Sequence, residues 1–263
     1  MKPPYFSILL FGILFWVKAN AQHITNDIGF FTGNTTVLSD YGIKEDFKSL
    51  FIGAGISFSV VHYMHFFKTS NRWNSVGSGT FDNLMIKTEV SFFSTQLEHK
   101  GKWVHPSKTS LIANQLRAMK GSVSMMNIGV QLEYYMRDLE SFITPYSDMS
   151  FNPYITFGVN YALYSNTLEY DETLGLPTKY TLPNALNIGS GAALNFTIGF
   201  GTRYNLTKKI DLAAQFQTQI FLTDSLDGVQ PDVVQNQSND FITIFQVGII
   251  YNLNFNQSLF SFF

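Results

Sequence analysis

The sequence predicts an all-β chain: an eight-stranded antiparallel up-and-down transmembrane β-barrel. Three observations predict it. Eight segments after residue 22 alternate apolar and polar residues, and each has about the 9–11 residues that a tilted strand needs to cross a membrane. Charged residues are 14% of the chain, against the usual quarter or so, while aromatic residues reach 16%, with 26 Phe and 13 Tyr. No stretch after the first twenty residues is apolar for long enough to make a membrane helix, so a closed barrel is the remaining spanning solution.

The N-terminus comes first. Lys2, the mostly apolar run 5–17 and the small-x-small triplet Ala19-Asn20-Ala21 read as a secretory signal, residues 1–21, cleaved before Gln22. That run is about 13 residues, short of the roughly 20 that span a bilayer. Residues 22–263 then form one barrel domain. Without Lys2 and Lys18 the 17 basic residues become 15, against 19 acidic ones, so nothing basic points to nucleic acid as a partner. With no cysteine, disulfide frameworks and thiolate metal sites are excluded.

A period of two places alternate side chains on opposite faces of a strand. The first strand is expected over residues 25–37, interrupted by Gly29, Gly33 and Asn34. In the second, 52–67, Ile56, Phe58 and Val60 oppose Gly55, Ser57 and Ser59. In the third, 84–98, Leu84, Ile86, Val90 and Phe92 oppose Lys87, Glu89 and Ser91. In the fourth, 123–136, Met126, Ile128, Val130 and Leu132 oppose Asn127, Gly129, Gln131 and Glu133. The fifth, 154–165, turns Ile155, Phe157, Val159, Tyr161 and Leu163 outward. The sixth, 195–206, sets Phe196, Ile198, Phe200 and Tyr204 against Asn195, Thr197, Gly199, Gly201 and Arg203. The seventh, 210–222, sets Leu212, Phe216 and Ile220 against Gln215, Gln217 and Gln219. The eighth, 241–253, sets Phe245, Val247, Ile249 and Tyr251 against Gln246, Gly248 and Asn252, and closes on the first. The polar faces, rich in Gly and Gln, predict a lumen with few large side chains.

Long connections are expected on the outer side at 38–51, 99–122, 166–192 and 223–239. Shorter inner ones are expected at 68–83, 137–150 and 207–209. Within the second outer connection, residues 106–121 predict a short helix capped by Ser107 or Thr109 and ended by Gly121, with Leu111, Ile112, Leu116 and Met119 on one face. The apolar tail 254–263 ends in Phe263, a terminal aromatic of the kind that barrel-insertion machinery recognises.

The run Gly201-Thr-Arg-Tyr-Asn-Leu-Thr-Lys-Lys-Ile-Asp-Leu212 resembles the strand–turn–strand of small bacterial outer-membrane barrels. Further stretches resemble one poorly characterised outer-membrane β-barrel family of gliding Gram-negative bacteria. They are Ser39-Asp-Tyr-Gly42, Val61-His-Tyr63, Leu97-Glu-His-Lys-Gly-Lys-Trp103, Leu116-Arg-Ala-Met119, Asn127-Ile-Gly-Val-Gln-Leu-Glu-Tyr134 and Gly201-Thr-Arg-Tyr204. The resemblance implies location in the outer membrane and a barrel fold, and no catalytic residues. It also implies, by association, an accessory role in a type IX secretion and gliding assembly.

Little in the chain reads as chemistry. His62 and His65 are three apart, so a strand puts them on opposite faces and they cannot share a metal. His99 and His105, with Ser94, Ser107, Ser110 and Glu98 nearby, are the only candidates for a hydrolytic triad, and no G-x-S-x-G pattern supports them. Lys87, Glu89, Glu133 and Arg203 fall on polar faces and are expected to pair inside the barrel as a charged plug, with Asp211 near a turn. Asp40, Glu45, Asp46, Asp171, Glu172, Asp224, Asp227, Asp232 and Asp240 make the outer loops acidic, and are expected as solvated loop tips. Apolar residues of the loops, Trp103, Val104, Leu111, Ile112, Leu116, Leu174 and Leu176, are the candidate partner contacts. The expected role is a non-enzymatic structural or interaction module at the cell surface. Its partners would be outer-membrane lipid and other outer-membrane or secretion proteins, with no cofactor, metal or catalytic residue. The alternatives are a lipid- or peptide-modifying enzyme of the outer membrane and a small pore.

Overall fold

A computed structural model describes residues 22–38, 55–68, 83–99, 103–139, 142, 150–183, 185–207, 209–223, 226–228 and 240–253. The expected signal 1–21, Asp40, Glu45, Asp46, Asp224, Asp232 and the tail 254–263 lie outside the described residues. The strands are β1 (Gln22–Leu38), β2 (Gly55–Lys68), β3 (Leu84–Glu98), β4 (Lys120–Tyr135), β5 (Phe151–Glu169), β6 (Gly189–Asn205), β7 (Ile210–Phe221) and β8 (Phe241–Leu253). Among the described residues between β3 and β4 is an α-helix, α1 (Leu111–Ala118).

Each strand pairs antiparallel with its sequence neighbours, and β1 pairs with β8 from Asn26↔Leu253 to Leu38↔Phe241, which closes the barrel. Closure leaves the sheet without a free edge along the spanning region. The alternation read from the sequence is the alternation of the wall. Phe58, Val60, Ile128, Val130, Phe157, Ile198 and Val247 are exposed on the outside, while Ser57, Ser59, Gln131, Thr156, Asn195 and Gln246 are buried inside. An apolar surface continuous around a whole barrel far exceeds the few hundred Å² that a soluble monomer carries, so lipid is the solvent of this wall.

Strands β4, β5 and β6 begin or end three to six residues beyond the expected bounds, at Lys120, Glu169 and Gly189. At the far ends of these extensions the outward positions Ser122, Thr167 and Ser190 are polar, so the hydrogen-bonded ladder runs past the apolar pattern, which on β6 reaches Leu194 and Ala192; Ser122 and Thr167 share a hydrogen bond of 2.8 Å. The inner turn after β6 is as tight as expected. The amides of Leu206 and Thr207 donate to the Ile210 carbonyl at 3.1 and 2.9 Å, and the Thr207 hydroxyl accepts from Ile210 N at 3.0 Å.

The lumen departs from the expected small-residue filling. It is layered. Toward the inner end Phe31, Tyr63, Met85, Tyr135 and Tyr154 pack with Leu139 and Phe142 of the β4–β5 connection. Toward the outer end Phe93, Met125, Tyr164, Phe221, Ile242 and Ile244 pack with Leu226 of the β7–β8 connection. Between them lies a polar layer. Glycine makes room for the large rings: Tyr154 faces Gly201 across the β5–β6 ladder, where a Cβ would sit 2.5 Å from the ring, and Phe31 faces Gly248 across the β1–β8 seam. Gly201 and Gly248 therefore mark where large rings point, rather than a lumen of small residues.

Candidate functional site

Two buried ion clusters occupy the lumen. In the first, Lys87 on β3 extends its Nζ to 2.8 Å from Glu89 Oε2 and 3.7 Å from Glu133 Oε1. It also donates to Gln131 Oε1 at 3.3 Å and Gln215 Oε1 at 3.1 Å. The carboxylates are bound in turn: Gln131 Nε2 donates to Glu89 at 3.1 Å, and the Tyr135 hydroxyl donates to Glu133 Oε2 at 2.9 Å. In the second, Arg203 on β6 donates from Nε to Asp211 Oδ2 and from Nη2 to Asp27 Oδ2, both at 2.6 Å, and to Asn252 Oδ1 at 2.9 Å. Its guanidinium lies 5.5 Å from the Tyr63 ring centre. Taking these charges out of water is costly, and the density of short charge-assisted bonds is what offsets it.

The four residues expected to pair are thus divided. Lys87, Glu89 and Glu133 come together, and Arg203 sits apart with two aspartates. Asp211, read only as lying near a turn, is buried. Asp27 was missed by sequence reasoning because β1 turns Phe31 inward and Phe30 outward, which blurs its alternation. The signal was there in register: Asp27 shares its parity with Gly29 and Gly33, the small inward residues.

The loop residues separate as well. Trp103, Leu111 and Ile112 stand 65%, 60% and 59% exposed at the rim of the barrel. Val104 is half-buried. Leu116 and Leu176 pack partly buried against Met119 and Tyr180, and the Leu174 carbonyl accepts from Gln115 Nε2 at 2.7 Å, which ties α1 to the β5–β6 connection. The helix is shorter than expected. Its cap is Ser110, whose hydroxyl accepts from Ala113 N at 3.3 Å, in place of Ser107 or Thr109. It stops at Ala118, before Gly121, because Lys120 and Gly121 are already drawn into the ladder opposite Glu98 and Leu97.

The candidate triad residues turn to different partners. His99 leans on Tyr180 with ring centres 6.4 Å apart, and burial, helped by the Lys179 cation, holds its imidazole down at about 4. His105 Nδ1 lies 2.8 Å from the Ser107 hydroxyl on an exposed loop and also accepts from Ser107 N at 3.3 Å. Glu98 faces Lys120 at 3.9 Å, and Ser94 lies 3.4 Å from Ser124. His62 and His65 do lie on opposite faces: His65 is buried, and His62 Nε2 is 3.1 Å from Asn26 Oδ1. Among the described residues no group of three His, Cys, Asp or Glu side chains is placed to hold a metal.

The acidic loop tips need a correction. Asp171 and Glu172 are exposed, and the Thr173 hydroxyl and amide hold the Asp171 carboxyl below its usual range. Asp227 and Asp240, in contrast, are buried. Asp240 Oδ2 accepts from Leu226 N at 3.0 Å, so the carboxylate is consumed in folding the loop into the barrel mouth.

No family model and no curated protein matches the chain. Solved structures do resemble it in fold. A major outer membrane protein from Thermus thermophilus is 10% identical with a TM-score of 0.46, covering 88% of this chain and 100% of that one. Neisserial surface protein A is 11% identical with a TM-score of 0.43, covering 88% and 99%. Ail, the attachment invasion locus protein of Yersinia pestis, is 10% identical with a TM-score of 0.40, again covering 88% and 99%. At such identities the likeness is one of fold, which the strand register already establishes. A closed eight-stranded wall, apolar outside and polar at mid-lumen, belongs in the outer membrane of a Gram-negative bacterium.

Proposed function

We propose that this barrel is a non-enzymatic structural or interaction module of the cell surface. The observation that carries the reading is the filled lumen: an apolar layer at each end, the Lys87 cluster between them and the Arg203 cluster within the inner layer against Met85 and Tyr63, each cation tied to two carboxylates. Such a barrel works through its surface. The exposed Leu111 and Ile112 on α1, a helix anchored to the neighbouring loop, and the exposed Trp103 in the loop before it are the contact surface for another outer-membrane or secretion protein. The resemblance to the barrel family of gliding bacteria supports the finer reading of an accessory subunit of a type IX secretion and gliding assembly.

The test is a pair of measurements. In planar bilayers the purified barrel is expected to give no stable conductance; a steady channel would overturn the sealed lumen and favour a small pore. Gentle extraction from the native membrane, followed by sizing and mass spectrometry, is expected to recover the barrel with partner proteins. The triple substitution Trp103→Ser, Leu111→Ser, Ile112→Ser is expected to lose them while the barrel still assembles. Recovery unchanged by these substitutions would sink the rim surface. The enzyme reading rests on one contact, His105 with Ser107, and hydrolysis abolished by His105→Ala would establish it instead.

A further inference from the structure

We propose that the outer mouth of the barrel is a peptide-binding cup, occupied in this structure by the chain's own residues 226–228. The cup is separate from the rim patch, so this inference goes beyond the reading above. Its wall is strand-borne and apolar, from Phe93, Met125, Tyr164, Phe221, Ile242 and Ile244. An apolar wall at the mouth of a polar lumen needs a filler, and here the filler comes from a connection, not a strand. Leu226 is fully buried in it, and Asp227 and Gly228 are buried beside it.

The way this segment is held is peptide recognition. Asp240 Oδ2 accepts the Leu226 amide at 3.0 Å, and Asn166 Nδ2 donates to the Leu226 carbonyl at 3.2 Å. Asn166 is itself oriented, because its Oδ1 accepts from Gly189 N at 2.8 Å. The Gly228 carbonyl takes the Asn187 amide at 3.0 Å, with Gly228 at a φ of 78°, a conformation that glycine adopts without strain. One carboxylate for an N–H, one carboxamide for a C=O and an apolar cup for an aliphatic side chain define the ligand: a turn-forming peptide segment with a leucine-type residue, since residues 226–228 sit in the cup as a turn. The cis segment competes at high effective concentration, so a peptide in trans binds well only once the cis leucine is removed.

The experiment uses the full chain in detergent and a labelled peptide with the sequence of residues 224–230, acetyl-Asp-Ser-Leu-Asp-Gly-Val-Gln-amide. The barrel carrying Leu226→Ser is expected to bind it saturably and one to one, at least tenfold more tightly than the unsubstituted barrel does. The same peptide with serine in place of leucine should lose at least tenfold. Adding Asp240→Ala should lose a similar factor. Methyl resonances of Ile242 and Ile244 should shift with the same saturation curve, while those of the lipid-facing Ile128 and Ile155 stay unmoved, which separates the cup from the micelle. Leu226→Ala serves in parallel where the serine variant fails to assemble. No saturable shift in either variant, or equal binding of the leucine and serine peptides, overturns the proposal. Equal affinity of substituted and unsubstituted barrels overturns the cis occupancy.

Discussion

At the scale of the residue, the lumen turns on two cations. Arg203 holds Asp27 of β1 and Asp211 of β7, each at 2.6 Å, and so bridges strands on both sides of β8. Arg203→Met leaves two carboxylates buried without their cation, and removing one partner of a buried ion pair costs about 3–5 kcal/mol. Urea unfolding in detergent should show that loss; a difference under about 1 kcal/mol would mean that water reaches the cluster. The packing of rings against glycine gives a second prediction. Gly201→Val sets a side chain against the Tyr154 ring and the Ala214 carbonyl and is expected to destabilise by about 1–3 kcal/mol, and by less when it is introduced into a Tyr154→Ala background. Arg203 and Glu133 were legible in the sequence because each sits in a run of clean alternation. Asp27 was not, since an inward Phe31 beside an outward Phe30 defeats a reading by polarity alone. Which cation meets which carboxylate was also illegible: that depends on cross-lumen distances between strands far apart in the chain, such as Arg203 and Asp27.

At the scale of the element, the strands, the tight β6–β7 turn and the presence of α1 were legible, and the way the longer connections pack was not. A strand's outward face must suit lipid and its inward face must pack, so alternation survives in sequence. A loop answers to neither rule. Asp240 read as a solvated aspartate and nothing in the pattern singled out Leu226, yet both fold into the barrel mouth. Helix α1 gives a prediction of its own through Ser110, the observed cap. Ser110→Ala should weaken α1 by about 1 kcal/mol, seen as faster amide exchange at Ala113 and Asn114 with the strands unaffected. His99 makes the same region sensitive to acid. Its imidazole is held at about 4 by burial and Lys179, against about 6.5 in an unfolded loop, so the packed state binds fewer protons between those values. Packing of His99 on Tyr180 is therefore at full strength above pH 6.5 and weakens as pH falls toward 4, by about 3 kcal/mol. Hydrogen exchange of the β5–β6 connection, taken relative to the intrinsic rate at each pH, should rise as pH falls over that interval, and His99→Gln should flatten the rise. An exchange profile with no step between pH 6.5 and 4 would rule out the buried neutral histidine.

At the scale of the whole molecule, the wall and the filling have different jobs. The wall is set by closure and by lipid, and eight strands leave an interior that side chains can fill. The charged layer inside is not required for that. Gln131, Gln215, Gln217 and Gln246 already bond across the lumen at the level of Lys87. If the Lys87 cluster is only a way of satisfying polar filling, replacing it as a unit should leave the barrel as stable as before. Breaking it singly should not. The triple variant Lys87→Met, Glu89→Gln, Glu133→Gln removes the cation and both carboxylates together, whereas Lys87→Met alone leaves two buried anions about Tyr135 and Gln131. The single variant is expected to lose about 3–5 kcal/mol and the triple variant less than about 1 kcal/mol, in unfolding measured side by side. Bilayer recordings then separate structure from function. A triple variant that is stable and still non-conducting makes these charges one of several equivalent fillings. A triple variant that is stable but leaks ions makes them the seal itself, and ties Lys87 to what the barrel keeps from crossing.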